Sequence, residues 1–313
     1  MTTHPSAARA RLGLTAAAIL WSLGSVFVRI LREPTALALN DPPLSSLQIA
    51  FYRGLFGGAA LLLLVRRRDM VFRPMMAGMV LTFTMMTALY LSAIALGPAA
   101  NAIFLQNTAP VWVYLFAIYV LGEAADRRGW QAVILGAIGA VVIVAGNWPR
   151  DLPADEQETQ VAILFMGAGS GLVYAVVMIF LRVLRDVSSA WLICLNLIGT
   201  AATLGAYILV TSGPLGLWEW AATPSLQQLA VLAVFGIVQM AIPYWLFARG
   251  LRVVGPLEAG IITLLEPLLN PVWAYLITPD KDTPTVPMLI GGGLILGALA
   301  WRYMLRHVEP PAN

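Results

Sequence analysis

Apolar residues come in runs of about 20 along nearly the whole chain, separated by short polar connections. Ten runs stand out: Leu12–Leu31, Leu47–Val65, Met75–Leu96, Ala99–Leu121, Trp130–Gly146, Val161–Leu181, Ala190–Val210, Leu229–Ala248, Leu257–Ile277 and Val286–Met304. A helix crosses the hydrocarbon core of a bilayer with roughly 20 apolar residues, so each run predicts a spanning helix. A buried soluble core has no need of ten. The predicted fold is all-α and integral to the lipid bilayer, with ten transmembrane helices. Arg9 and Arg11 before the first run imitate a signal peptide. That run is too long, holds Arg29 near its end and has no clear small-residue cleavage site, so it is expected to remain as the first span.

Composition strengthens the membrane assignment. Hydrophobic residues make up 59% of the chain and charged residues 11%, against about 25% charged in soluble domains. The net charge of +3 does not point to nucleic acid, because the basic residues gather at span ends. With the N-terminus in the cytoplasm, the inner side carries Arg9, Arg11, Arg66, Arg67, Arg68, Arg73, Arg127, Arg128, Arg182, Arg185, Arg249, Arg252, Arg302 and Arg306. The outer side carries only Arg29, Arg32, Arg150 and Lys281. Both termini are therefore expected inside a cell (inner or plasma) membrane. Arg53 is left within a span.

The inventory removes several chemistries. His4 and His307 both lie in the tails and Cys194 is the one cysteine, so a histidine metal site, a histidine triad and an internal disulfide are not expected within the spans. The stretch "GAGSG" at 167–171 lacks the Lys-Ser/Thr of a phosphate loop. Gly167 and Gly171, like Gly293 and Gly297, have the spacing of close helix packing. No cofactor, no metal and no ATP-driven pump are expected.

The polar stretch "NWPRDLPADEQETQ", 147–160, divides the spans into two sets of five. "GPAANAIFLQNTAPVWVYL" from Gly97 and "GPLEAGIITLLEPLLNPVWAYL" from Gly255 both open with Gly-Pro and share Pro-Val-Trp-x-Tyr-Leu. Their spacing is kept best if Pro110 corresponds to Pro267. An odd number of spans per repeat inverts the second copy, the usual architecture of alternating-access carriers. The predicted organisation is a first five-helix repeat at 1–146, an extracytoplasmic linker at 147–160, a second repeat at 161–305 and a cytoplasmic tail at 306–313.

With these pieces in order, the chain resembles an EamA-domain transporter of the drug/metabolite transporter superfamily. The resemblance rests on Trp21 and Arg29 in the first helix, Arg53 in "FYRGLFGGAALLLL", "ALGPAANAIFLQNTAPVW", Leu121-Gly122-Glu123, "PYWLFARGL" and "EAGIITLLEPLLNPVWAYL". It implies ten helices in two inverted halves and movement of small metabolites, often outward. Where Leu-Gly-Glu would recur, the second half has "TPDKDTP", expected to matter only to an outer loop.

Glu266 lies ten residues after Pro256, or about 15 Å along a helix rising 1.5 Å per residue. That is near the middle of a roughly 30 Å core. Thr263, Glu266, Asn270 and Trp273 share one helical face. A charge at that depth costs about 2.5–3.5 kcal/mol on insertion scales and usually faces a bundle interior or a wet cavity. Asn101, Asn107, Thr108 and Trp112 bring matching groups from the first repeat. Arg53 is expected at similar depth, either to hold a substrate carboxylate or phosphate with its planar fork or to pair with Glu266. Trp21, Tyr90, Tyr174, Tyr244, Asn196 and Gln239 complete the candidate cavity, each with packing or interhelical hydrogen bonding as its plain alternative. The expected function is secondary transport, with export favoured, of small polar or amphipathic metabolites such as amino acids. Glu266 and Arg53 are the coupling candidates, and a proton is a possible second partner. A passive channel and an intramembrane lipid-modifying enzyme are the alternatives.

Overall fold

In the computed structural model, which describes residues 7–150 and 152–304, all ten apolar runs fold as helix, and no strand occurs among the described residues. The tail at 306–313, with Arg306 and His307, lies outside the described residues, as does His4. In chain order the helices are α1 (Ala7–Ser22), α2 (Gly24–Arg32), α3 (Ser46–Leu62), α4 (Pro74–Leu96), α5 (Ala99–Gln106), α6 (Ala109–Tyr119), α7 (Arg127–Gly146), α8 (Ala154–Val183), α9 (Ser189–Ala222) and α10 (Leu226–Val234). A π-helical segment, Phe235–Ala241, leads into α11 (Ile242–Gly250). Then follow α12 (Pro256–Thr263), α13 (Leu265–Ile277), α14 (Pro279–Asp282) and α15 (Val286–Met304).

Among the described residues, eight stretches are long and apolar enough to cross a membrane: Ala7–Arg32, Pro74–Leu96, Ala99–Tyr119, Arg127–Gly146, Ala154–Val183, Ser189–Ala222, Leu226–Gly250 and Glu258–Ile277. The remaining two of the ten predicted runs form shorter helices, α3 with 17 residues and the apolar helix Val286–Arg302. The chain is a multi-pass, all-α membrane protein. Part of the 147–160 linker is helical: α8 starts at Ala154, with Asp155 and Glu156 in its first turn, where carboxylates favour the positive helix end. α9 contains a bend at Gly213, whose φ of 74° suits glycine. Pro214 then starts a short separate helical segment.

Lipid is as apolar as leucine, so hydrophobic burial alone does not hold such helices together; close packing does. α3 lies against α9 and the π-helical segment, α4 against α8, α1 against α11, and α7 against α15. A Cβ on Gly54 would come within 2.7 Å of the Leu197 carbonyl oxygen, and one on Gly57 within 2.8 Å of the Gly236 carbonyl. These two glycines let α3 sink between its neighbours. Gly171 approaches the Thr108 hydroxyl in the same way, but Gly293 and Gly297 face open space. The crossing of α7 and α15 uses Gly139 and Gly291 instead, each backed against the other's carbonyl.

"TPDKDTP" is more than an outer loop. It folds as α14, and Asp282 is buried against Arg29.

Candidate functional site

Two helices are interrupted where proline requires it. Proline has no N–H to give the carbonyl four residues back, and its ring crowds that carbonyl. Counting back four from Pro110 reaches Gln106, where α5 ends; counting back four from Pro267 reaches Thr263, where α12 ends. The sequence spends local polar groups on the breaks. Asn107 Nδ2 donates to the Ile103 carbonyl at 2.8 Å and the Thr108 hydroxyl to Leu105 at 2.7 Å. The Thr263 hydroxyl donates to Gly260 at 2.9 Å. A third interruption separates α1 from α2 at Leu23. Irregular backbone at membrane depth is tolerated where it is buried in protein or lines a cavity.

Around the breaks lies a polar cluster. Arg53 is 5% exposed, and its Nη1 lies 3.5 Å from Gln239 Oε1, a long contact. Its Nε is buried with no acceptor among the described residues. Phe235 offers its ring face, 5.5 Å from the guanidinium carbon. Gln239 is held by its other end, Nε2 donating to the Trp21 carbonyl at 3.0 Å. The π-helical segment that carries Gln239 is the kind of helix defect often found at functional sites. Glu266 is half-buried and makes no hydrogen bond or ion pair among the described residues. The direct Arg53–Glu266 pair allowed by the sequence is therefore not formed. Tyr90 and Tyr244 instead stand close enough to both charged groups to interact with each. Trp21 packs edge-on to Tyr244, with ring centroids 5.1 Å apart.

Such a cluster, at proline-broken helices in a multi-pass protein, suits the handling of a small solute. The EamA-like transporter family model matches residues 9–145 and again 161–304. The chain belongs to that family. An uncharacterized transporter of Archaeoglobus fulgidus is 31% identical over 291 residues, covering 91% of this chain and 93% of its own. An S-adenosylmethionine uptake transporter of Rickettsia prowazekii is 23% identical over 275 residues, 85% and 86% of the two chains. The pseudopaline exporter CntI of Pseudomonas aeruginosa matches only 105 residues, at 32% identity, or 32% of this chain and 37% of that protein. A solved crystal structure, 18% identical, superposes with a TM-score of 0.60 over 97% of this chain and all of its own, a likeness of fold. Family and relatives make the EamA-like chain a transporter.

Not every residue singled out in this EamA-like sequence lies in the cluster. Trp21, Arg53, Tyr90, Gln239, Tyr244, Glu266 and Asn270 come together. Asn270 is spent largely on structure: its Oδ1 accepts the Ser25 N–H at 3.3 Å and its carbonyl the Ser25 hydroxyl at 2.9 Å, while its side chain also reaches Tyr90. Trp273 Nε1 donates to Ser22 Oγ at 2.9 Å. Tyr174 packs against the same apolar cluster as Tyr244. Asn101 and Asn196 are buried, each with a side-chain oxygen lacking a donor among the described residues. Trp112, on α6, is 37% exposed and makes no hydrogen bond or ring contact with the cluster among the described residues. Asn107, Thr108 and Thr263 serve the breaks.

Ser22, Gly24 and Ser25 were not foreseen. They let α2 dock on α13, and a Cβ on Gly24 would lie 3.4 Å from Gln239 Nε2. The sequence signal was "WSLGS", three small residues at a helix break. A groove of about 520 Å³ between α3 and α9 is lined by apolar residues such as Phe51, Leu55, Ile198 and Trp218, and lies apart from the polar cluster.

Proposed function

We propose that this EamA-like transporter is a secondary carrier that exports small amphipathic zwitterions, amino acids and their relatives first, by alternating access. Its frame is ten spanning helices in two inverted repeats, 1–146 and 161–305, joined at 147–160, with both termini on the cytoplasmic side of the cell membrane. Three facts support that frame. The family model matches once in each half. The proline breaks end α5 and α12 at the same offset. The packing pairs also exchange under a two-fold swap of the halves: α4 on α8 mirrors α11 on α1, α5 on α8 mirrors α12 on α1, and α6 on α8 mirrors α13 on α1.

The observation that carries the function is the separation of Arg53 from Glu266. Two opposite charges at one level of a membrane protein ordinarily pair. Here each keeps unused bonding capacity, with two tyrosines beside both. Arg53 presents a fork suited to a carboxylate. Glu266 receives the amine or a proton, and Trp21, Tyr90 and Tyr244 hold the apolar part.

Counterflow in proteoliposomes with a panel of amino acids and related metabolites tests this reading. The protein should exchange at least one zwitterion saturably, and Glu266→Gln should lower the rate at least tenfold with insertion unchanged. Wild-type counterflow in Glu266→Gln would remove the role given to that carboxylate.

A further inference from the structure

Arg29 and Asp282, 253 positions apart, are buried with 0% and 1% of their side chains exposed. Arg29 Nε donates to Asp282 Oδ2 at 2.6 Å and Nη2 to Oδ1 at 2.8 Å, the bidentate geometry of the strongest ion pairs. The same guanidinium donates to the Ile94 and Gly97 carbonyls, both at 2.8 Å. Asp282 also accepts the Ala99 N–H at 2.8 Å and the Thr278 hydroxyl at 2.6 Å. A second pair forms the rim. Lys281 Nζ donates to Glu33 Oε1 at 2.5 Å and to the Ala95 carbonyl at 3.1 Å, with 29% and 21% of the two side chains exposed. Glu33 in turn lies 3.7 Å from Arg29 Nη1.

The backbone explains why charges are kept here. α4 ends at Leu96 and α5 starts at Ala99, leaving carbonyls and N–H groups without helical partners. Cations suit the carbonyl end and a carboxylate the N–H end. Arg29 and Lys281 take the first and Asp282 the second.

The network joins α2, the α4–α5 turn and the junction of α13 with α14. α2, α5 and α13 are each one half of an interrupted helix, and each runs from this network to its break at Leu23, Asn107 or Leu264. Releasing the network frees three half-helices at once, with hinges already in place at the level of Arg53 and Glu266.

A buried bidentate pair is a two-state contact: removing one partner leaves the other charge uncompensated, so intermediate arrangements are disfavoured. Interfaces of that kind are bistable rather than continuously deformable. We propose that the Arg29–Asp282 pair, with its Lys281–Glu33 rim, is the latch that holds this face of the carrier shut and that opens once per transport cycle. Arg29 and Asp282 are positioning residues; they touch no substrate. The cycle rests on the carrier reading, but the latch is measured without any substrate.

Leu96, 43% exposed, and the exposed Thr283 flank the latch on its two sides. Spin labels at Leu96→Cys and Thr283→Cys, in a Cys194→Ala background in lipid nanodiscs, report its closure by pulsed electron resonance. The latched protein should give one short distance. Asp282→Asn should add a longer population, and Asp282→Glu, which restores the charge, should remove most of it. A structural role alone would lower the yield of folded protein without adding a distance. An unchanged distribution in folded Asp282→Asn overturns the proposal. If that variant does not fold, Lys281→Met, which loosens only the rim, should show a smaller shift in the same direction; no shift there overturns it equally.

Discussion

The two ends of the helix bundle manage charge in opposite ways. At the Arg29 end, the inner ion pair is fully buried and its remaining donors and acceptors are taken by helix termini. At the opposite end the pairs lie in the open: Arg11 with Glu258, Arg73 with Asp186 and Arg182 with Glu123, each partner at least 42% exposed. The halves of the broken helices follow the same division. All seven residues from Ala99 to Leu105 in α5 are buried, whereas α6 buries only Ala109, Val111, Tyr114 and Ala117. Exposed pairs are worth about 0–1 kcal/mol because water screens them. A buried pair costs desolvation to form and costs more to break. One end is therefore fastened and the other is loose, the asymmetry that one conformer would need under the alternating access proposed above.

The largest test of that contrast is Arg29→Ala. It leaves the Asp282 carboxylate buried beside no cation, a loss of about 3–5 kcal/mol, read as a large fall in unfolding midpoint in detergent. Pairing it with Asp282→Asn should recover part of the loss, since the stranded charge is then gone. A fall no larger than that produced by Arg182→Ala would erase the distinction between the two ends.

How much of this was legible in the sequence follows from the range of each interaction. The apolar runs depend on near neighbours and could be read directly. Pro110 and Pro267 were used only to align the repeats, although each is a local signal for its break, while Pro271 sits inside an unbroken α13. Glu266 could be singled out by counting along its helix from Pro256. Arg29 was read as an outer-side cation near the end of the first span; its burial depends on a partner in "TPDKDTP", which hydropathy marks as loop. Only tertiary packing brings Asp282 beneath the rim. Arg53 and Glu266 were both singled out, yet the pair the sequence allowed does not form, and the two tyrosines that stand near both, Tyr90 and Tyr244, come from helices that no local pattern links to them. Glycine spacing misled at Gly293 and Gly297, because the rule gives a period and not the face that meets α7.

A middle case sharpens the comparison. Glu33→Gln keeps the shape of the rim and removes its charge, leaving Lys281 the Ala95 carbonyl. Partial exposure places the expected loss near 1 kcal/mol, between the two extremes. A loss equal to that of Arg29→Ala would mean that the rim and the buried pair act as one unit rather than as two layers.

The smallest effect is expected at Asp186, and its pH dependence separates the ends again. The Arg73 hydrogen bond holds the Asp186 carboxyl below its ordinary value. A carboxyl lowered on folding contributes stability that is present above its unfolded pKa, about 4, and lost as pH falls through the lower folded value. Burial alone would push the Asp282 carboxyl up, but Arg29, Thr278 and the Ala99 N–H outweigh it and hold it below the usual range as well. Both pairs should therefore persist from neutrality to about pH 5 and fail only in stronger acid. Their sizes should differ: Asp186→Asn should unfold almost with wild type at pH 7, and Asp282→Asn well before it. Because salt screens exposed charges and spares buried ones, 1 M salt should erase what remains of the Asp186 difference and leave that of Asp282. Equal salt sensitivity of the two variants would show that water reaches both ends alike, and the fastened end would then be no more closed than the loose one.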